Sequence, residues 1–182
     1  MIKLFTFENY EVKVEPEAIT LKVFKTLWDR DKSKDKHIAK QELAYIYFME
    51  DPRSDYQYII DRDKRSEEII RGLGMPAKWK ADSKVEEACK FYASFKPTSA
   101  GLLEDTRYAV NKLRIMLRNI NIDERDAKNK PVHTLSSITQ TIKQIPALVK
   151  DLDEAEKTLS RDIVAEAKAR GSQEKALFED EV

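Results

Sequence analysis

The side chains able to do chemistry are few, and their spacing matches no catalytic or metal-binding motif. The chain has two histidines, His37 and His133, and one cysteine, Cys89. Gln41 and Glu42 lie four and five residues after His37, so the His-Glu-x-x-His zinc motif is not formed. His133 precedes a predicted helix, where it suits a polar capping role. Cys89 lies at a helical core position with no histidine nearby, so we interpret its thiol as buried and unreactive.

The acidic clusters and the glycine pair also lack the arrangement that chemistry needs. Asp151, Asp153 and Glu154 crowd one predicted helix among basic residues, whereas carboxylates that bind a cation or act as acid and base face each other across a cleft. The segment Gly72–Gly74 is not followed by the Gly-Lys-Ser of a phosphate-binding loop. We therefore predict no cofactor, no metal and no enzymatic activity.

The charge balance argues against a general nucleic-acid binder. The chain has 33 Lys plus Arg and 33 Asp plus Glu among 182 residues, whereas a surplus of basic residues is needed to displace counterions from phosphates. The densest basic stretch, Lys112 with Arg114 and Arg118, is interpreted as a solvated helix face. No run of about 18 apolar residues marks a membrane span, and the first residues lack the features of a signal peptide. We expect a protein made in the cytoplasm, with neither a membrane nor a sequence-specific nucleic acid as partner.

Two short alternating segments open the chain. Ile2–Phe7 and Glu11–Val14 are rich in β-branched and aromatic residues, and the residues between them can turn, which predicts a small β-hairpin. Two isolated strands are marginal in water. The hairpin therefore packs on helices of the same chain or adds to a sheet of a neighbouring subunit, and the sequence leaves both alternatives open.

Helix signals fill most of the remaining chain. Pro16 opens the first helix, and further helices are predicted at about 33–49, 63–72, 83–97, 98–120 and 134–170. Ser83 and Glu86 form a predicted capping box. The segment 98–120 has the widest apolar stripe and is predicted to be a central, well-buried helix.

The last predicted helix carries an apolar seam. Apolar residues at 135, 138, 142, 145, 149, 152, 159 and 163 follow the 3-4 spacing of a coiled coil, interrupted at Glu156. Pro146 removes one backbone hydrogen bond and should bend the helix. We therefore predict two helical pieces, about 134–145 packing on the domain and about 147–170 reaching outward to a neighbour.

These elements predict an all-α fold, a helical bundle of about six helices with a short N-terminal β-hairpin and a long, Pro-kinked C-terminal helix. The predicted organisation is a β-hairpin arm at 1–15, a helical core at 16–133, the long kinked helix at 134–170 and a flexible acidic tail at 171–182.

An aromatic stretch stands out between residues 44 and 56. Five large apolar or aromatic residues follow one another from Tyr45 to Met49, so they cover more than one face of a helix. Either this is a core helix, or Tyr45, Tyr47, Met49 and Tyr56 line a subunit interface with Arg53 as a desolvated anchor. Leu159 and Ile163, in the outer half of the seam, are further candidates for contact with a partner.

The segment from Ala44 to Pro76 resembles small virion proteins of tailed bacteriophages, including the crAss-like group. The resemblance rests on Ala-Tyr-Ile-Tyr-Phe-Met, then Asp-Pro-Arg-Ser and a tyrosine, then a charged helix ending in Arg-Gly-Leu-Gly-Met-Pro. It implies a head-to-tail connector or neck-ring protein of the virion, made in the host cytoplasm and present as a ring of about twelve copies. Its implied partners are the portal, the tail and neighbouring ring proteins. Connectors of this kind often have a C-terminal extension that docks on a neighbour, and here Leu177 and Phe178 are the candidate contacts.

Three functional hypotheses follow. The first is a non-enzymatic virion structural protein that forms a ring. The second is a cytoplasmic helical scaffolding or regulatory module that binds a partner helix through the 135–163 seam. The third, an enzyme that uses the acidic clusters with Mg²⁺, is the least favoured because the carboxylates lie in solvated segments.

Overall fold

The computed structural model describes residues 4–8 and 11–169, and side chains as far as residue 165. In this part of the chain the predicted fold class is confirmed, because helices dominate, a two-stranded antiparallel hairpin precedes them and a long helix follows them. The elements are β1 (Phe5–Glu8), β2 (Glu11–Val14), α1 (Pro16–Thr20), α2 (Lys22–Arg30), α3 (His37–Glu50), a 3-10 turn (Asp55–Tyr58), α4 (Arg62–Gly72), α5 (Ser83–Ala93), α6 (Thr98–Asn119) and α7 (Leu135–Ala169).

The chain divides into two compact units, Met1–Lys96 and Pro97–Val182, which we call unit 1 and unit 2. Unit 1 contains the β-hairpin and α1 to α5, and unit 2 contains α6 and α7. The boundary lies well before residue 133, where the sequence analysis ended the helical core. The reason is that α6 packs on α7, so the two longest helices of the described chain form a unit together.

Unit 1 is built around α3. This helix contacts α2, α4, α5, β2 and the 3-10 turn, and every residue from Glu42 to Glu50 is buried. A helix surrounded in this way needs no polar face, which explains its consecutive large apolar residues. The prediction that 98–120 forms the central, well-buried helix was wrong, since only Ser99, Ala100 and Leu103 of α6 are buried.

The β-hairpin packs on the helices of its own unit. Phe5 pairs with Val14 across the two strands, is 0% exposed, and makes edge-to-face ring contacts with Phe24, Tyr47 and Tyr92 at centroid distances of 5.5, 6.3 and 5.1 Å. Two strands too short to be stable alone thus gain a hydrophobic face from the helices. Of the two alternatives left open by the sequence, the structure has the one in which the hairpin packs on its own chain.

Buried carboxylates hold both ends of α3. Ahead of the helix, the carboxylate of Asp31 accepts hydrogen bonds from the backbone N–H groups of Ala39 (3.0 Å) and Ser33 (2.8 Å), and these bonds lower the pKa of Asp31 to about 2. At the other end, Glu50 pairs with Arg62 and with Lys96, whose Nζ lies 3.1 Å away. Each charge that packing removes from water therefore has a hydrogen-bonded partner.

The start of α5 differs by one residue from the predicted cap. The carboxylate of Asp82, not the hydroxyl of Ser83, accepts hydrogen bonds from the backbone N–H groups of Lys84 (3.1 Å) and Val85 (3.0 Å). The same carboxylate lies 2.5 Å from Arg30 Nη1. Asp82 therefore caps α5 and also links it to α2 through an ion pair. A serine hydroxyl could cap the helix but could not form the ion pair, because it has no charge.

In unit 2, α6 and α7 form an antiparallel helical hairpin. Ala100 and Leu103, near the start of α6, pack with Ala155 and Leu159 in the C-terminal half of α7. The start of α6 thus lies beside the C-terminal half of α7, so the two helices run in opposite directions. Residues 120–134 connect the two helices at the opposite end, which we call the tip.

Local hydrogen bonds order the connection at the tip. The carboxylate of Asp126 accepts from the backbone N–H groups of Lys128 and Lys130, both at 2.8 Å. Thr134 and Ser137 then exchange side-chain-to-backbone bonds of 3.1 Å in both directions. This is a reciprocal cap, and it starts α7 where the sequence predicted.

The long helix α7 is continuous through Pro146. It is therefore one element and not two helical pieces. A proline inside a helix removes one backbone hydrogen bond, and contact with α6 supplies the packing that stabilises the remaining turns.

Candidate interaction surface

The cysteine and the two histidines are not grouped into a site in the structure. Cys89 is buried, and burial raises the pKa of its thiol to about 12, as the sequence predicted for an unreactive cysteine. His133 Nε2 lies 3.9 Å from Glu124 Oε2 at the tip, and His37 is exposed at the first position of α3. Within residues 4–8 and 11–169, no three His, Cys, Asp or Glu side chains are grouped as metal ligands.

The most buried carboxylate belongs to Asp51 and is fully engaged inside unit 1. Its side chain is 0% exposed and accepts hydrogen bonds from the Tyr92 hydroxyl (2.6 Å) and from Arg53 Nε (2.9 Å) and Nη2 (2.7 Å). Burial, and next the charge of Asp51, raise the pKa of Tyr92. Arg53 was predicted as an anchor for a partner, but the structure uses its guanidinium to neutralise Asp51.

The other aromatic candidates of unit 1 are also held within the unit. Tyr45, Tyr47 and Met49 are buried to 4% exposure or less, which is the core alternative of the sequence analysis. Tyr56 is half-buried, and its hydroxyl lies so close to Gly72 that a Cβ at this glycine would collide with it. All four side chains pack in the core of unit 1. Tyr45, Tyr47 and Met49 are too buried to contact a partner.

The candidates in the seam pack against α6. Leu159 is buried in the cluster with Ala100 and Leu103, and Ile163 packs against the same cluster. Both are therefore used within unit 2. Leu177 and Phe178, the two candidates in the tail, lie outside the described residues.

Five of the eight residues of the predicted seam face α6, Ile163 among them, and three do not. Ile138, Ile145, Leu152 and Leu159 are half-buried or buried, whereas Leu135, Ile142 and Val149 are 69%, 51% and 53% exposed. The exposed three repeat every seven residues and so lie along one side of the helix. We call them the α7 stripe.

The α7 stripe lies beside the contact with α6. Glu156 continues the same seven-residue series, and its carboxylate lies 2.8 Å from Arg107 Nη2 of α6. Arg114 is seven residues beyond Arg107 and therefore lies on the same side of α6, two turns nearer the tip. Its side chain is exposed and makes no ion pair with any residue that the structure describes. The α7 stripe and Arg114 thus share one side of the helical hairpin.

α6 also keeps apolar side chains at its surface. Leu102, Tyr108, Ile115 and Met116 are 45% to 57% exposed. The width of the stripe that predicted a central helix is real, but α7 covers only part of it. Unit 2 consequently exposes more large apolar side chains than its two helices can bury on each other.

The residues of α7 that face α6 differ from those of the predicted seam. The half-buried and buried positions in its central part are 138, 141, 145, 148, 152, 155 and 159, a 3-4 repeat that includes Thr141, Leu148 and Ala155. The predicted seam contains Ile142 and Val149 in place of Thr141 and Leu148. From 138 and from 145 the predicted seam advances by four residues, whereas the packed series advances by three. Counting two overlapping heptad series would have indicated a helix with two apolar sides.

No helix in the described part of the chain has both the length and the apolar character needed to cross a membrane. No protein-family model, curated protein sequence or solved structure matches the chain.

Proposed function

We propose that this chain is a non-enzymatic structural protein that assembles with further copies of itself through its α6–α7 hairpin. The observation that carries the proposal is the α7 stripe, whose Leu135, Ile142 and Val149 are more than half exposed along one side of a helix. Isolated exposed apolar residues are ordinary, but a row at seven-residue spacing beside a packed seam has the form of a helix-packing surface. Covering it with another helix removes apolar area from water.

The virion role is the more specific part of the proposal. The resemblance of Ala44–Pro76 to small virion proteins of tailed bacteriophages supports a ring-forming connector between portal and tail. A heterologous contact repeated around an axis closes into a ring when the rotation per copy fits, and about twelve copies match a connector of this kind. An exposed apolar helix surface in unit 2 suits such repeated contact.

A partner helix from a different protein is the second candidate function. The full 135–163 seam cannot receive it in this conformation, because Leu152 and Leu159 already pack with α6. A scaffolding or regulatory partner would have to bind the α7 stripe alone. This alternative predicts a complex of one copy with its partner and a chain that is monomeric by itself.

Quantitative mass spectrometry of purified virions tests the virion role. We expect the chain in the particle at a fixed ratio to the portal protein, near one copy per portal subunit for a ring of about twelve. As a control, the same digest should contain no abundant host cytoplasmic proteins. A particle that lacks the chain, while infected cells contain it, would refute the connector role and favour the scaffolding alternative.

A further inference from the structure

The charges of the helical hairpin are separated along its length. Residues 107–150, which we call the tip half, contain nine Lys or Arg against three Asp or Glu, a net charge of +6. Residues 98–106 together with 151–165, which we call the base half, contain two Lys or Arg against seven Asp or Glu, a net charge of −5. The zero net charge of the whole chain conceals this separation.

Within one copy the two halves pair only where they meet, through Arg107 with Glu156 and Lys150 with Glu154. α6 has 22 residues, which span about 33 Å, whereas the screening length at physiological salt is about 8 Å. In the tip half, Arg114, Arg118 and Lys143 are exposed and form no ion pair among the described residues. The charged surfaces at the two ends therefore remain available for a partner.

Apolar surface accompanies the charge in both halves. The tip half contains the α7 stripe. In the base half, Ser160, Arg161, Val164 and Ala165 line a shallow depression, and Val164 is 52% exposed. A partner that covers either half would bury apolar side chains as well as pair charges, which is the composition of a specific protein interface.

We infer that the basic tip half of one copy docks on the acidic base half of the next copy, in a head-to-tail contact. A second copy supplies the complement of both halves at once, whereas a nucleic acid would account for the basic half alone. A head-to-tail contact is heterologous, so it closes into a ring or continues as a filament. The inference rests on the proposed self-assembly and specifies the surfaces that make it.

A charge-swap experiment tests the contact. The tip variant combines Arg114→Glu, Arg118→Glu and Lys143→Glu, and the base variant combines Asp105→Lys, Asp151→Lys and Glu154→Lys; all six residues are exposed. Sedimentation velocity of the full chain at low salt should show that the wild-type protein associates. In each variant alone the association constant should be lower by about tenfold or more. An equimolar mixture of the two variants should regain association, because each altered surface then meets its opposite charge.

A control variant separates the contact from net charge. Lys25→Glu, Lys40→Glu and Lys80→Glu change three exposed lysines of unit 1 and shift the net charge by the same amount as the tip variant. This control should associate like the wild-type protein. All variants should keep the helical circular dichroism and thermal midpoint of the wild-type protein, because the altered residues lie at the surface.

The outcomes distinguish this inference from the proposed function. Large oligomers that persist in both variants would overturn the head-to-tail contact while leaving self-assembly intact. A wild-type protein that stops at a charge-dependent dimer, restored in the mixture, would show reciprocal pairing of tip and base between two copies and would overturn the head-to-tail contact and the ring. If both variants are folded and their mixture still does not associate, the docking is also overturned.

Discussion

Replacing Tyr92 by alanine is expected to lower the free energy of unfolding of unit 1 by about 3–5 kcal/mol. Tyr92 is fully buried, its ring lies edge-to-face against Phe5 and Phe24, and its hydroxyl donates to Asp51. The substitution therefore opens a cavity and removes a hydrogen bond from a buried carboxylate. Because domains of this size are stable by only about 5–15 kcal/mol, this single change should bring unit 1 close to unfolding.

Urea unfolding followed by tryptophan fluorescence measures this loss in the correct unit. The only two tryptophans, Trp28 and Trp79, both lie in unit 1, so the signal reports on this unit. Tyr92→Phe is the matched control, because it keeps the ring and removes only the hydroxyl, with an expected loss of about 1.5–3 kcal/mol for a hydrogen bond to a charged group. A loss below about 1 kcal/mol for Tyr92→Ala would show that the residue is not in a packed core.

Replacing Phe5 by alanine is expected to destabilise unit 1 by a similar amount, about 3–5 kcal/mol. Phe5 belongs to a four-residue strand, yet it contacts side chains of α2, α3 and α5 and is 0% exposed. An arm that merely reached toward a neighbour would contribute nothing to the stability of its own unit. The same fluorescence-detected unfolding measures the change.

Phe7→Ala is the control within the same strand. Phe7 is 37% exposed and contacts Tyr47 and Phe48 at the edge of the core, so its truncation should cost about 1 kcal/mol. Equal and small effects at both positions would mean that the hairpin does not pack on its own unit. A large effect at Phe5 that appeared only at high protein concentration would instead point to a strand contributed by another copy.

Much of the fold could be predicted from the sequence because local signals and packing agree in most elements. Pro16 marks the start of α1, and the reciprocal cap at Thr134 and Ser137 starts α7. The buried state of Cys89 also follows from its position among apolar neighbours. In these cases a side chain a few residues away decides the outcome, and sequence alone contains that information.

The division into units could not be predicted in the same way. The segment 98–120 has a wide apolar stripe, and such a stripe looks the same whether it is surrounded in a core or only partly covered. The consecutive aromatic residues of α3 likewise suited a core or an interface, and the contacts with five other elements decide for the core. The ion pair of Arg53 with Asp51 could not be predicted in this way either, because Asp51 is buried by Tyr92 of α5, far along the chain.

The candidate surface was found only in part. The sequence indicated the helix that carries the α7 stripe but assigned the α7 stripe and the packed residues to a single seam. The packed residues contact α6 and the α7 stripe does not. This difference depends on how two helices pair, which neighbouring residues in the sequence do not determine. The separation of charge between tip and base was likewise hidden, because it becomes visible only when α6 and α7 are placed side by side in opposite directions.

The sedimentation mass of one double variant tests whether the α7 stripe is an assembly surface. Ile142→Asp with Val149→Asp changes two exposed residues, so the thermal midpoint should change little. Ile145→Asp is the control, since Ile145 is half-buried in the α6–α7 seam, and a carboxylate there should destabilise unit 2 itself.

At a protein concentration where the wild-type chain sediments as an oligomer, we expect the folded double variant to sediment with the mass of a single chain. The same oligomer mass for the double variant and the wild-type protein would contradict it.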